Sequence, residues 1–223
     1  MEKYVAPPLQ SAGVSLNRFV AFDRTGAKAA IVKRGYIPCS DFFCKVKYNE
    51  RLGSQACYMS HLTLLEKLKT QFSALGKRDV VLVLEDDVTL DPSWRHFFVE
   101  AMPYLPGDWD IVYVCFWGGL SEEDRVNKFF YLASFVPHKK RYMGTCGYMV
   151  QPHRGVVLNA LHQQAQSDGI EAPDVALLND SKLVRYAMRQ LPFHHMNGTS
   201  AIKARRLALQ RLALQRSKNA TSR

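Results

Sequence analysis

The sequence has no C-x-x-C pair, no apolar run long enough to cross a bilayer, and no acidic residue in residues 203–223. The first absence argues against the common structural zinc modules, which hold their metal through paired thiols. The five cysteines, Cys39, Cys44, Cys57, Cys115 and Cys146, are an odd number and read as reduced, mostly buried thiols. The second absence, with no secretory leader pattern at the start, leads to the expectation of a chain that is cytoplasmic or peripheral to a membrane. The N-x-S/T sequons at Asn179, Asn197 and Asn219 are then chance matches rather than glycan sites. The third absence explains the net charge of +10: residues 203–223 carry seven of the 30 basic residues. Without them 23 basic residues face 20 acidic ones, so the folded part lacks the basic face that binding a phosphate backbone requires. No nucleic-acid partner is expected.

What is present is enough for one sizeable core: 223 residues, 47% apolar and 11% aromatic. The strongest local signal is Val80-Val81-Leu82-Val83-Leu84-Glu85-Asp86-Asp87-Val88, an apolar run that ends in three carboxylates. It reads as a strand carrying its charges to a sheet edge, where ligands of open α/β sheets bind. Adjacent carboxylates repel, and a hard dication such as Mn²⁺ or Mg²⁺ relieves that repulsion through oxygen ligands. Along an extended chain Glu85 and Asp87 point to one side and Asp86 to the other. A solvated acidic turn leading into Asp91-Pro92, itself of the form of a helix N-cap, is the plainer alternative.

The remaining pattern alternates strand and helix. A short strand is expected over residues 18–22. A polar, glycine-punctuated stretch follows to Gly53, and then a helix capped by Ser54 runs to about Phe72. Cys57, His61, Leu64, Leu65, Leu68 and Phe72 share one stripe of that helix. After the acidic strand come a helix over residues 92–104, a near-continuous apolar strand over 109–116 and a long loop over 118–141. A strand at 147–150, a helix opened by Pro152, a short helix over 174–178 and a strand over 183–188 complete the order.

Several of these segments, taken together, resemble glycosyltransferase family 25, which includes lipopolysaccharide-type and procollagen galactosyltransferases. The matching residues are Gly53-Ser54-Gln55-Ala56-Cys57-Tyr58-Met59-Ser60-His61-Leu62, Leu84-Glu85-Asp86-Asp87-Val88 with Asp91-Pro92, Arg18-Phe19-Val20-Ala21-Phe22-Asp23, Trp109-Asp110-Ile111-Val112-Tyr113, and Gly144-Thr145-Cys146-Gly147-Tyr148. Asp174 and the stretch from Arg185-Tyr186 to Pro192-Phe193 follow in the family's order, so the likeness covers roughly residues 13–203.

The resemblance implies an α/β, GT-A-like nucleotide-sugar-binding domain with a central mixed sheet flanked by helices, over residues 1–203, followed by a basic tail over 204–223. It implies inverting, metal-assisted transfer of a hexose, in the first instance galactose, from a UDP-sugar to a hydroxyl of a glycan or glycoprotein. Glu85 and Asp87, with His194 and His195, are the metal candidates for Mn²⁺ or Mg²⁺. Asp23, Ser60, His61, Asp86 and Thr145 are the donor-binding candidates, and Asp174 is the candidate general base. Asp174 also suits a helix N-cap, and His61 a core histidine bonded to a neighbour.

The family's usual first strand has no counterpart here, so either translation begins upstream or part of the donor site is lost. The alternative function is then a truncated, inactive relative that binds glycan or protein. Cys146 stands where the family has His, and His194-His195 where Gln is common. In the tail, Arg206-Leu207-Ala208-Leu209-Gln210 repeats as Arg211-Leu212-Ala213-Leu214-Gln215. A five-residue period cannot hold one apolar stripe on a helix, so at most weak attraction to an anionic membrane surface is expected.

Overall fold

The computed structural model describes residues 17–37, 48–71, 79–117, 120–133, 143–167, 169–170 and 172–195, together with Leu9 and Val14. The tail, Cys39 and Cys44 lie outside the described residues, as does most of the stretch before residue 17 to which the expectation about a first strand refers. The elements in chain order are α1 (Arg24–Lys33), α2 (Tyr48–Gln71), β1 (Val81–Leu84), β2 (Val88–Leu90), α3 (Trp94–Ala101), β3 (Ile111–Trp117), β4 (Phe130–Leu132), β5 (Met143–Val150), α4 (Val156–Ser167), α5 (Pro173–Asn179), β6 (Arg185–Met188) and β7 (Phe193–His195). The architecture is mixed α/β, as the alternating pattern requires.

One five-stranded sheet has the order β1-β5-β3-β6-β4, and β2 with β7 forms a separate two-stranded ladder. The sheet is mixed: β5 runs antiparallel to both β1 and β3, β6 is parallel to β3, and β4 is antiparallel to β6. β3 has six of its seven residues buried. Burial on both faces explains why IVYVCFW shows no polar alternation.

Two cores cover the two faces. Tyr58, Met59, Leu62 and Leu65 of α2 join Leu158 and Leu161 of α4 and Leu177 of α5 against Tyr113, Tyr148 and Ala187 of the sheet. On the other side Val112, Val114, Met149 and Tyr186 meet Val88, Ala101, Phe130 and Phe193. Polar side chains tie the elements together. Asp110 Oδ2 accepts from the Val184 amide at 2.9 Å, holding the entries of β3 and β6 together. The Arg185 guanidinium donates to the carbonyls of Ala133, Leu177 and Asp180.

Three expectations are corrected. Residues 18–22 form no strand: Val20 is 84% exposed, and the Phe22 amide donates to Ser60 Oγ at 2.9 Å rather than to a strand partner. The segment is an extended strap lying on α2, with Phe22 packed against the core. α2 begins at Tyr48, six residues before the expected cap, so Gly53 and Ser54 are interior to it. A mid-helix glycine costs about 1 kcal/mol, which the packed face of a 24-residue helix outweighs. Third, the long loop after β3 contains β4, whose three residues FYL close the far edge of the sheet.

Candidate functional site

β1 ends at Leu84, and the chain turns at Asp86 and Asp87 before pairing again as β2. Antiparallel pairing sets Leu84 opposite Gly147, so the end of β1 lies beside the start of β5. Glu85 N donates to the Cys146 carbonyl at 2.9 Å and continues that contact for one residue. Trp117, at the end of β3, pairs with Met143. The N-terminus of α5 closes the group, because Asp174 Oδ2 accepts from the Gly144 amide at 2.9 Å. Glu85, Thr145, Trp117 and Asp174 therefore meet at one end of the sheet, the end at which β1, β3 and β6 terminate.

Two glycines make this approach feasible. A Cβ on Gly147 would lie 2.8 Å from Cys115 Cβ and 3.1 Å from Leu84 Cδ2, so β5 could not pass between β1 and β3. Gly144 has φ +107°, and a Cβ there would lie 2.8 Å from Trp117 Cε3. The Trp117 ring thus lies over Gly144 while remaining 46% exposed.

Glu85 turns inward. Its Oε1 accepts from Thr145 Oγ1 at 2.8 Å and from Cys57 Sγ at 3.6 Å, and it lies 3.3 Å from His61 Nε2. His61 Nδ1 is 2.8 Å from the Tyr148 hydroxyl. With the imidazole proton on Nε2, the ring donates to Glu85 and accepts from Tyr148. His61 is 6% exposed and Thr145 3%. Cys57 and His61 are four residues apart on α2 and so present one face to the end of β1.

Burial raises the Glu85 carboxyl, but the bonds from His61, Thr145 and Cys57 outweigh it and hold the group below its ordinary range. Burial, and then the charges of Glu85 and Asp174, push the Cys57 thiol well up. Burial also raises Asp174, against the opposing effect of its amide donors at Gly144 and Val175, and the Glu85 charge adds to the rise.

The other candidates fall elsewhere. Asp86 is exposed in the turn and Asp87 is half-buried beside it. Cys146 lies in the field of both Glu85 and Asp87. Among the described residues, the group able to offer three ligand atoms to one ion is Cys57, His61 and Glu85, which does not include Asp87. A sulfur, an imidazole and one carboxylate are not the oxygen cage that Mn²⁺ or Mg²⁺ prefers. The carboxylates of Asp86 and Asp87 are of the donor type that such an ion takes, one or two carboxylates with phosphate oxygens and water.

His194 is exposed, with Nε2 3.3 Å from Asp91 Oδ2, and β2–β7 pairing sets His195 opposite Val88. Asp23 caps α1, its Oδ1 accepting from the Gly26 amide at 2.6 Å. Ser60 Oγ accepts from Phe22 N and donates to the Ala56 carbonyl. Both residues have local structural partners at the strap.

Cys57, Tyr148 and Trp117 join the site without being among the candidates that the sequence offers. Cys57 was visible on the helix stripe four residues before His61; Tyr148 and Trp117 gave no separate signal from the apolar strands that hold them. Neither a protein-family model nor a curated protein matches this chain in sequence comparison. No helix among the described residues is long and apolar enough to cross a membrane.

Proposed function

We propose that the chain transfers a hexose from a nucleoside diphosphate donor to a hydroxyl of a glycan or glycoprotein, with inversion at the anomeric carbon. The observation that carries this reading is the placement, toward one end of a mixed sheet, of the acidic turn that follows β1 and of a half-buried carboxylate, Asp174, bonded to the Gly144 amide of β5. Strand ends of this kind are where open α/β sheets bind ligands. The two acidic groups suit different tasks because their surroundings differ.

Asp174 is the general base. Its carboxylate is oriented by two backbone amides, Gly144 at 2.9 Å and Val175 at 3.0 Å, which leave further lone pairs on both oxygens. Burial raises its proton affinity, so it can take the acceptor hydroxyl's proton nearer to neutral pH than an exposed aspartate could. The exposed ring of Trp117, held over Gly144, offers a flat apolar surface to a sugar ring or base beside that carboxylate. Asp87 and Asp86 hold the donor at the turn, and a bound Mn²⁺ or Mg²⁺ would there neutralise charge on the diphosphate leaving group.

The test is the thermal shift of the purified chain with UDP or UDP-galactose, each with Mn²⁺ or with EDTA. Ligand that binds only the native state raises its melting temperature by mass action. An upward shift that requires the metal is expected. No shift with either nucleotide would overturn the reading, and a shift unaffected by EDTA would remove the metal from it.

A further inference from the structure

We propose that Cys57, His61 and Glu85 form a Zn²⁺ site, distinct from the hard-cation position at the acidic turn and independent of sugar transfer. The three ligand atoms all lie within 4.8 Å of one another. Two of the three distances between them can be set against zinc geometry. Tetrahedral zinc with ordinary bond lengths sets a thiolate sulfur about 3.6 Å from a carboxylate oxygen, and an imidazole nitrogen about 3.4 Å from it. The observed edges are 3.6 Å for Cys57 Sγ to Glu85 Oε1 and 3.3 Å for His61 Nε2 to Glu85 Oε1. With these two edges at zinc-like lengths and the third within 4.8 Å, the donors need only a small adjustment to accept the ion.

The donor chemistry selects the metal. Thiolate with imidazole favours zinc over Mg²⁺ or Ca²⁺, which take oxygen ligands. One thiolate and one carboxylate also neutralise a dication, which matters where His61 is 6% exposed. Three hydrogen-bond donors converge on the single oxygen Glu85 Oε1. A cation takes the place of two of them and leaves Thr145 Oγ1, at 2.8 Å, on the remaining lone pair.

The outer partners suit the same assignment. On ligation the Cys57 thiol releases its proton to solvent, and the imidazole proton moves to Nδ1, where it is donated to the Tyr148 hydroxyl 2.8 Å away. A histidine ligand oriented through its second nitrogen, and a carboxylate ligand held by a hydroxyl, are the supports that zinc sites ordinarily have. Three protein ligands leave a fourth position for water or a small ligand.

The experiment uses the full chain, reduced and stripped of metal, titrated with Co²⁺ as a spectroscopic stand-in and then with Zn²⁺. A sulfur-to-cobalt charge-transfer band that saturates at one ion per chain and is displaced by Zn²⁺ is expected. It should vanish in Cys57→Ser. In Tyr148→Phe the affinity should fall about 10–100-fold with the band's shape kept. Absence of the band in the native chain, or its persistence in Cys57→Ser, would overturn the proposal. Should Cys57→Ser fail to fold, alkylation of Cys57 in the native chain decides: Zn²⁺ should slow it, and an equal rate with and without Zn²⁺ would overturn the site. Asp87→Asn keeps the band if the two positions are separate. Loss of the band there would move the metal to the acidic turn and overturn the assignment, without bearing on donor binding.

Discussion

Glu85 and Asp86 are adjacent in the chain, yet one is enclosed by Thr145, His61 and Cys57 while the other stands exposed in the turn. The cause is the end of β1. Leu84 is the last residue in register with β5, and the Glu85 amide still reaches the Cys146 carbonyl, so its side chain is committed to the space under α2. One residue later the β1–β5 ladder has ended and Asp86 is exposed in the turn. Three carboxylates that look alike in sequence therefore divide into Glu85, whose Oε1 is answered by Thr145, His61 and Cys57, and an outer pair at the turn, Asp86 exposed and Asp87 half-buried. Charge alone does not mark a binding group; the neighbours that answer the charge decide its use.

The largest effect that would sharpen this division belongs to the outer half. Asp87→Asn should remove the Mn²⁺-dependent thermal shift with UDP-galactose while moving the melting temperature of the unliganded chain little. A large loss of stability with the donor shift intact would reverse the assignment and make Asp87 structural.

A second test addresses the inner half. Glu85→Ala takes the common acceptor away from Thr145 and His61, both buried, and a buried donor left without a partner costs about 1–3 kcal/mol. Urea unfolding of the metal-free chain should show this as a lower midpoint with an unchanged slope. Glu85→Gln keeps an acceptor oxygen and should lose less. If Glu85→Ala unfolds at the same denaturant concentration as the native chain, the network contributes nothing to stability and the contrast with the turn fails.

A pH series separates the halves without mutating either. The Glu85 carboxyl is held below its ordinary value of 4.5 in the folded chain. A group of that kind stabilises the native state fully above its unfolded pKa and loses the contribution as pH falls through the folded one. In the presence of EDTA, acid unfolding below pH 4.5 should therefore be steeper in the native chain than in Glu85→Gln. Identical acid limbs would show that the inner bonds do not favour the ionised form.

How far the sequence discloses this arrangement follows from the range of the forces involved. β3 is legible because burial on both faces leaves a continuous apolar run, and β1 because its run ends in charge. The strap at residues 18–22 misleads for the opposite reason: Val20 and Phe22 have strand propensity, but no neighbouring strand receives them and Ser60 takes the Phe22 amide instead. The start of α2 is hidden because Gly53 and Ser54 look like a boundary, whereas the helix runs through them from Tyr48. Glu85 itself is conspicuous in the sequence. Its surroundings are not, since His61 and Thr145 lie 24 and 60 residues away along the chain and meet it only once the sheet and α2 are assembled.

The smallest expected effect is also the most direct control on that point. Asp86→Asn changes an exposed side chain in a turn, and such substitutions usually shift stability by no more than about 0.5 kcal/mol. Its cobalt titration should match that of the native chain, because the inner ligands are untouched. Donor affinity should fall less than in Asp87→Asn, since Asp86 is the more exposed of the two. If Asp86→Asn instead weakened Co²⁺ binding, the two halves would be coupled through the turn. The difference between Glu85 and Asp86 would then be one of degree, set by how the turn distributes its charge.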